Sequence, residues 1–421
     1  MIESMKVLIL LKSFNYPPCN GGDQAVFNAI ARMEKYVQYY LITTEGTTLG
    51  RISVEAFHHD FPQIPVQIYD LGKNDSYQQL MNQCQRIVNF CSNRNGNRQI
   101  VRMRMLKGYD AQLDYFDCFY RFLNNYIRDN RIDIIQSEFS FTLGWLKGIT
   151  GDVKKVFVQH EIQFVVNHQR LLQRVHTMDD IYFYEQERQQ EINAMNCCDA
   201  VITLSENDRQ KLLFNGVHAP VYASFAQIRL HNIEIKYPVQ IKKQLVFVGP
   251  ETHEPNFQGL LWFMEKVLPL IQSQEQELTV AIIGRWSLTT INSWQRRYNG
   301  ICFLGFVDDL PTAIAESILI VPLFQGSGIR MKILEACNIG IPFVSTTIGA
   351  EGLGFTDGVD GFIADTADNF ADKVLRLLQD NVLANQFIRE SVQRIRTNFS
   401  DKRFVESRMR CYEGVMKGIV R

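Results

Sequence analysis

The chain has little of what marks a secreted, membrane-spanning or nucleic-acid-binding protein. Its 421 residues carry 44 Lys and Arg against 45 Asp and Glu, a formal charge of −1. That balance argues against a broad nucleic-acid surface. No apolar run approaches the ~20 residues that cross a bilayer. The N-terminal run "KVLILL" is too short for a secretory core and meets Lys12 at once. The nine cysteines are an odd number, are scattered, and include no Cys-x-x-Cys pair. Adjacent Cys197 and Cys198 make an awkward bridge, so reduced thiols in a cytoplasmic protein are the expectation. No Asp-x-Asp pair occurs, so the sequence does not indicate a carboxylate-held metal. No repeat or low-complexity tract is evident either.

What is present is an α/β rhythm. Short β-branched or aromatic runs, "KVLILL", "YYLITT", "DIIQSEF", "KVFVQH" and "AVITLS", alternate with longer mixed segments. The rhythm restarts after residue 243 with "QLVFVG", "LTVAIIG", "ICFLGF", "ILIVPL" and "IPFVST". Strands alternating with helical segments predict βαβ units and buried parallel sheets. In "PNFQGLLWFMEKVLPLIQ", Leu260, Phe263, Met264 and Val267 fall on one helical face. The polar stretch "HNIEIKYPVQIKKQ", with Pro238, reads as a linker. The predicted architecture is two doubly wound Rossmann-like domains, 1–240 and 241–400, facing a cleft. A helix over 401–421 is expected to cross back towards the first. Ligands of such sheets bind beyond the carboxyl ends of the strands.

The densest stretch is "GSGIRMKILEACNIGIPFVST", residues 326–346. Gly326, Ser327 and Gly328 predict a turning loop after "ILIVPL", and "IRMKILEACNIG" predicts a helix with Arg330 and Lys332 in its first turn and Gly340 as its stop. A glycine-rich loop opening a helix presents unpaired N–H groups and the positive end of the helix dipole. Arg330 and Lys332 at that end are unfavourable unless something negative sits there, which points to a phosphate group. Arg grips two oxygens in a fork, whereas Lys acts as a point charge. Glu335, further along, suits a pair of vicinal hydroxyls, as on a ribose.

These motifs resemble the C-terminal signature of retaining family 4 glycosyltransferases of the GT-B fold. The order of "YPPCNGGDQAVFNAIARM", "VFVQHEIQF", "CCDAVITLSENDRQKL", "VFVGPETHEPNFQGLLWFMEKVLP" and "ICFLGFVDDL" fits the same family. The resemblance implies transfer of a sugar from a UDP- or GDP-linked donor, held mainly by the second domain, to a glycan or lipid-linked acceptor. Cell-surface polysaccharide assembly is the implied setting. It also implies a front-face route in which the leaving phosphate oxygen takes the acceptor's proton. No metal and no cofactor beyond the nucleotide-sugar co-substrate are expected.

By resemblance, Glu335 holds the ribose hydroxyls and the N–H groups near Met331 and Lys332 receive the diphosphate. The backbone at Phe306 and Val307 borders the base, and Gly21 and Gly22 admit the donor phosphates. His160, at the end of "KVFVQH", contacts the donor sugar or assists proton movement.

Two departures stand out. Where the family has two glutamates separated by seven residues, the first position here is Ser327, leaving its task to the Gly326–Gly328 backbone. The loop "GPETHEPNFQG" lacks the Arg and Lys that many members place there, so Arg330 and Lys332 are expected to supply that charge. Glu138 and Glu161 are candidates for acceptor-side or structural roles, while Ser205 and Glu206 read as a helix N-cap. The acid-free segment 94–108, with Arg94, Arg98, Arg102, Arg104 and Lys107, suits a solvated basic face, peripheral contact with the inner face of an anionic membrane, or a grip on an acidic acceptor lipid. A nucleotide-sugar 2-epimerase on the same fold, or a sugar-nucleotide-binding module without turnover, remain alternatives.

Overall fold

A computed structural model describes residues 4–18, 20–70, 117–173, 175–228 and 234–418. The basic segment 94–108 lies outside the described residues. The chain divides into two compact units, Met1–Gln227 with Phe404–Arg421, and Ile228–Arg403. The division falls ahead of the stretch read as a linker. That stretch is tied to the second unit: the Val239 N–H donates to Asn385 Oδ1 at 2.7 Å and the Ile241 N–H to Asn381 Oδ1 at 3.2 Å. Asparagines of the helix Asn381–Asn398 thus satisfy the backbone N–H groups of the stretch.

Among the described residues the first unit holds seven strands: β1 Lys6–Leu11, β2 Gln38–Thr43, β3 Val66–Ile68, β4 Ile134–Glu138, β5 Lys154–Gln159, β6 Ala200–Thr203 and β7 Val221–Ala223. All pair in parallel in the order β3-β2-β1-β4-β5-β6-β7. The second holds β8 Gln244–Val248, β9 Thr279–Ile283, β10 Ile301–Gly305, β11 Ile318–Val321, β12 Phe343–Ser345 and β13 Phe362–Ile363. Their order is β10-β9-β8-β11-β12-β13, again parallel. Both are doubly wound Rossmann-type sheets. In each, the strand order reverses once, between β1 and β4 and between β8 and β11, and ligands of such sheets sit beyond that reversal.

Burial explains why the strands are near-continuous apolar runs: helices cover both faces. Leu8, Ile42, Ile135, Phe157 and Val201 join Phe119 and Leu123 of the helix Asp117–Asn130 in the first core. Leu245, Phe247, Ile282, Ile320 and Val344 pack with Phe370 and Phe387 in the second. Leu260, Phe263, Met264 and Val267 join them, all fully buried. That helix is not regular: Glu254–Trp262 passes into a π turn over Phe263–Val267, where the Leu268 N–H reaches back to the Phe263 carbonyl. Pro269, next along, lacks an N–H and crowds the preceding turn, and the wider π turn accommodates it. The edge strands β3, β7 and β13 have two or three residues each and no run that announces them.

The closing segments form the helices Ala367–Gln379, Asn381–Asn398 and Asp401–Met416. The last packs on the first unit. Its Tyr412 hydroxyl reaches Gln136 Oε1 at 2.6 Å, and Arg408 Nε and the Ser407 hydroxyl both reach Ser224 Oγ. Among the described residues no helix is long and apolar enough to cross a membrane. The six cysteines there are free thiols.

Candidate active site

The stretch 326–335 sits where the second sheet reverses. Strand β11 ends at Val321, the loop 322–330 follows, and the helix Met331–Asn338 starts beside the carboxyl end of β8. Gly340 ends that helix as predicted. With φ +81 it donates to the Cys337 carbonyl, and the Ile341 N–H donates to Ala336. This pair of hydrogen bonds requires a left-handed position that glycine fills without strain.

At the helix start the N–H groups of Met331 and Lys332 precede the first intrahelical bond, from Ile333 to Arg330. Lys332 is partly exposed; its Nζ lies 3.2 Å from Asn256 Oδ1 and 4.9 Å from the centre of the Phe247 ring. Phe247 belongs to β8 and Asn256 to the helix after it, so the ammonium reaches the very loop that carries no Lys or Arg of its own. Burial, with the like charge of Arg330 adding to it, pushes the Lys332 ammonium down to about 7. A cation held this way is one step from losing its proton, and an anion beside it reverses that.

Arg330 is placed differently from the sequence expectation. It is the N-cap of the helix, not part of its first turn. Its Nη1 lies 2.7 Å from the Ser327 carbonyl oxygen and 2.8 Å from that of Gly328, with Nη2 3.4 Å from Gln325. The turning loop aims several carbonyls inward, and the guanidinium satisfies them. Its fork shapes the loop. Gly326, at φ +116, lets the guanidinium approach, since a Cβ there would lie 2.5 Å from Nη2. Ser327 is buried, and Glu335 sits half-buried one turn into the helix. Phe306 and Val307 follow the edge strand β10, with Phe306 60 % exposed.

The first unit supplies a second cluster at its own reversal. Gly21 and Gly22 open the helix Gly21–Met33 after β1, capped by Asn20, whose side chain accepts from the Asp23 N–H at 2.9 Å. Gly22 has a packing reason: a Cβ there would come within 2.9 Å of the Phe139 ring. Phe139, just past β4, stacks on the His160 imidazole with centroids 4.0 Å apart. His160 Nε2 lies 2.6 Å from Glu138 Oε2, both side chains nearly buried at 8 % and 4 % exposure. Gln136 Nε2 meets the other Glu138 oxygen at 2.5 Å.

Glu161 lies outside that pair; its side chain accepts from Gln163. Ser205 caps the helix Glu206–Phe214 through a 3.0 Å bond from the Asp208 N–H, as its position predicted. Asn256, Phe247, Phe139, Gln136 and Tyr412 are absent from the sequence reading. The alternation of Gln136 and Glu138 within a strand buried throughout was the one local signal for any of them.

With this geometry in place, comparison with known proteins is decisive for the second unit. The family described as glycosyl transferases group 1 matches residues 242–380. The chain carries a group 1 glycosyltransferase domain on a GT-B fold. A Klebsiella pneumoniae relative, described as an uncharacterized 44.6 kDa protein in the cps region, is 24% identical over 298 residues, 66% of this chain and 74% of its own. The crystal structure of TarM, a Staphylococcus aureus protein, superposes with a TM-score of 0.70 at 12% identity over 98% of both chains. Anabaena HepE in complex with UDP-glucose does so at 0.65 and 13%, covering 97% of this chain and all of its own. This glycosyltransferase shares their fold at an identity too low to carry over residue roles.

Proposed function

We propose that this glycosyltransferase moves a sugar from a UDP- or GDP-linked donor to a glycan or lipid-linked acceptor, with retention of anomeric configuration. The observation that carries the reading is Lys332: an ammonium set over the Phe247 ring and against the Asn256 amide oxygen, its pKa lowered by burial, beside the N–H groups that open the helix at the sheet reversal. A diphosphate satisfies both features at once. Glu335, on the same helix, is assigned the ribose hydroxyls, and the backbone at Phe306 and Val307 the base. The backbone of Gly326, Ser327 and Gly328, held by Arg330, is assigned the donor sugar side.

In the proposed step the bond from the anomeric carbon to the diphosphate oxygen breaks, and its electron pair leaves with the nucleotide. The acceptor oxygen bonds the same face of that carbon, and its proton passes to the departing phosphate oxygen. Preorganised positive charge at Lys332 and the helix start stabilises the charge that develops there. His160 is assigned a contact to a sugar hydroxyl. Gly21 and Gly22 keep the backbone after β1 free of side chains.

Support for the donor class comes from HepE, solved with UDP-glucose, and from a TarM variant solved with UDP and alpha-GlcNAc-glycerol. The relative described as a protein in the cps region supports surface polysaccharide as the setting. The test is turnover of UDP-glucose, UDP-N-acetylglucosamine and GDP-mannose with alkyl glycoside acceptors, following nucleotide release. The one-bond coupling between the product's anomeric carbon and its proton then reports configuration. An α product from one of these α donors is expected. A β product removes the retaining assignment, and a panel in which no donor is consumed or bound removes the whole reading.

A further inference from the structure

A buried hydrogen-bonded line runs from the last helix to His160. The Tyr412 hydroxyl lies 2.6 Å from Gln136 Oε1, Gln136 Nε2 lies 2.5 Å from Glu138 Oε1, and His160 Nε2 lies 2.6 Å from Glu138 Oε2. Gln136 and Glu138 are two residues apart on β4 and share one face of the sheet. Tyr412, Gln136 and Glu138 are all buried.

Both ends fix the direction of the line. The Tyr412 oxygen faces Tyr39, 3.5 Å away, and is bonded by the buried Arg408 guanidinium. Arg408 only donates, so the Tyr412 proton is left for Gln136 Oε1. At the other end an ionised Glu138 only accepts. It therefore takes N–H groups from Gln136 and from His160, and a flipped Gln136 amide would set oxygen against oxygen at 2.5 Å. The two constraints select the same amide orientation.

We propose that Tyr412, Gln136 and Glu138 are positioning residues that hold the His160 imidazole with its proton on Nε2, leaving Nδ1 as the acceptor for a substrate hydroxyl. The part played by Nδ1 rests on the reading of His160 as a substrate contact; the tautomer does not. The charged or titratable groups around the pair are Glu138 on β4, Tyr39 on β2, and Arg408 and Tyr412 on the last helix, with Glu161 next in the chain. Phe139 covers one face of the ring and restrains its rotation. The final helix is thereby part of the catalytic apparatus, although its hydroxyl is separated from the imidazole by two side chains.

The test has a readout that needs no substrate. Long-range proton–nitrogen NMR spectra of the deuterated, histidine-labelled full chain, with His160 assigned by the loss of its signals in His160→Gln, report which ring nitrogen carries the proton. A single Nε2–H form is expected in the wild type, with Glu138→Gln giving a mixture of tautomers. In hydrolysis of whichever donor is turned over, Glu138→Gln should lower kcat at least tenfold and Tyr412→Phe several-fold. Donor KM should stay within twofold in both. Tyr39→Phe, which loses only the 3.5 Å outer contact, should leave kcat unchanged. An Nδ1–H form or a mixture in the wild type overturns the proposal, as does wild-type kcat in both Glu138→Gln and Tyr412→Phe. Absence of turnover on any donor strikes the functional reading alone, because the NMR result still decides the tautomer.

Discussion

Nucleoside diphosphate affinity should depend steeply on pH through Lys332. In the ligand-free protein its ammonium titrates near about 7, because burial removes water and Arg330 adds repulsion. A diphosphate beside it favours the charged form and returns it towards an ordinary lysine value, so binding above pH 7 takes up a proton. Working from 7, about half of the free protein carries the charge at pH 7 and about one part in a hundred at pH 9. The dissociation constant of UDP or GDP should therefore rise about 50-fold over that span, roughly 2.3 kcal/mol. Isothermal titration calorimetry at pH 8 to 9, in two buffers of different ionisation enthalpy, should show uptake of close to one proton. Lys332→Arg keeps its charge throughout and should flatten the profile, while Lys332→Met should bind weakly at every pH. The sign for the free protein is set by the same shift. The folded form binds fewer protons than the unfolded chain between about 7 and 10.5, so its stability should climb across that window. A dissociation constant level from pH 7 to 9, with no proton uptake, refutes the reasoning.

Two further outcomes follow from the buried groups. Gly326→Ala forces a Cβ against Arg330 at a left-handed backbone position, displacing the guanidinium from the Ser327 and Gly328 carbonyls. A loss of about 1–3 kcal/mol in thermal unfolding is expected, with weaker nucleotide binding. Glu191 accepts from the Gln163 and Phe164 N–H groups and from Gln159, yet burial pushes its carboxyl up to about 7, and Glu187 beside it likewise. Because both values lie above those of the unfolded chain, the contribution of these two groups to stability is greatest below pH 4.5 and is lost as pH rises through about 7. Melts of Glu191→Gln from pH 5 to 8 should show a flatter profile, the difference reaching up to about 3 kcal/mol. Parallel profiles for variant and wild type contradict that assignment.

The sheets were legible in the sequence because parallel strands buried on both faces are apolar throughout, as in "KVLILL" and "ILIVPL". Edge strands such as Val66–Ile68 were not, since two or three residues bury too little to leave a pattern. In the site, the glycine loop and the stop at Gly340 were readable from local backbone chemistry, whereas the helix begins two residues later than "IRMKILEACNIG" suggested. Arg330 shows the limit. Composition alone puts its charge at the right place, but only the fold shows the guanidinium turned onto its own loop. The residues that support His160 were invisible for a related reason. Tyr412 and Gln136 meet across 276 positions, and no spacing rule spans that distance.

The central claim is that residues 326–335 hold the donor diphosphate and its ribose. Crystals of the protein grown with UDP or GDP test it most directly. The account predicts diphosphate density at the Met331 and Lys332 N–H groups, within bonding distance of Lys332 Nζ, and ribose hydroxyls on Glu335. An ordered nucleotide bound elsewhere, with that helix start occupied only by water, contradicts it.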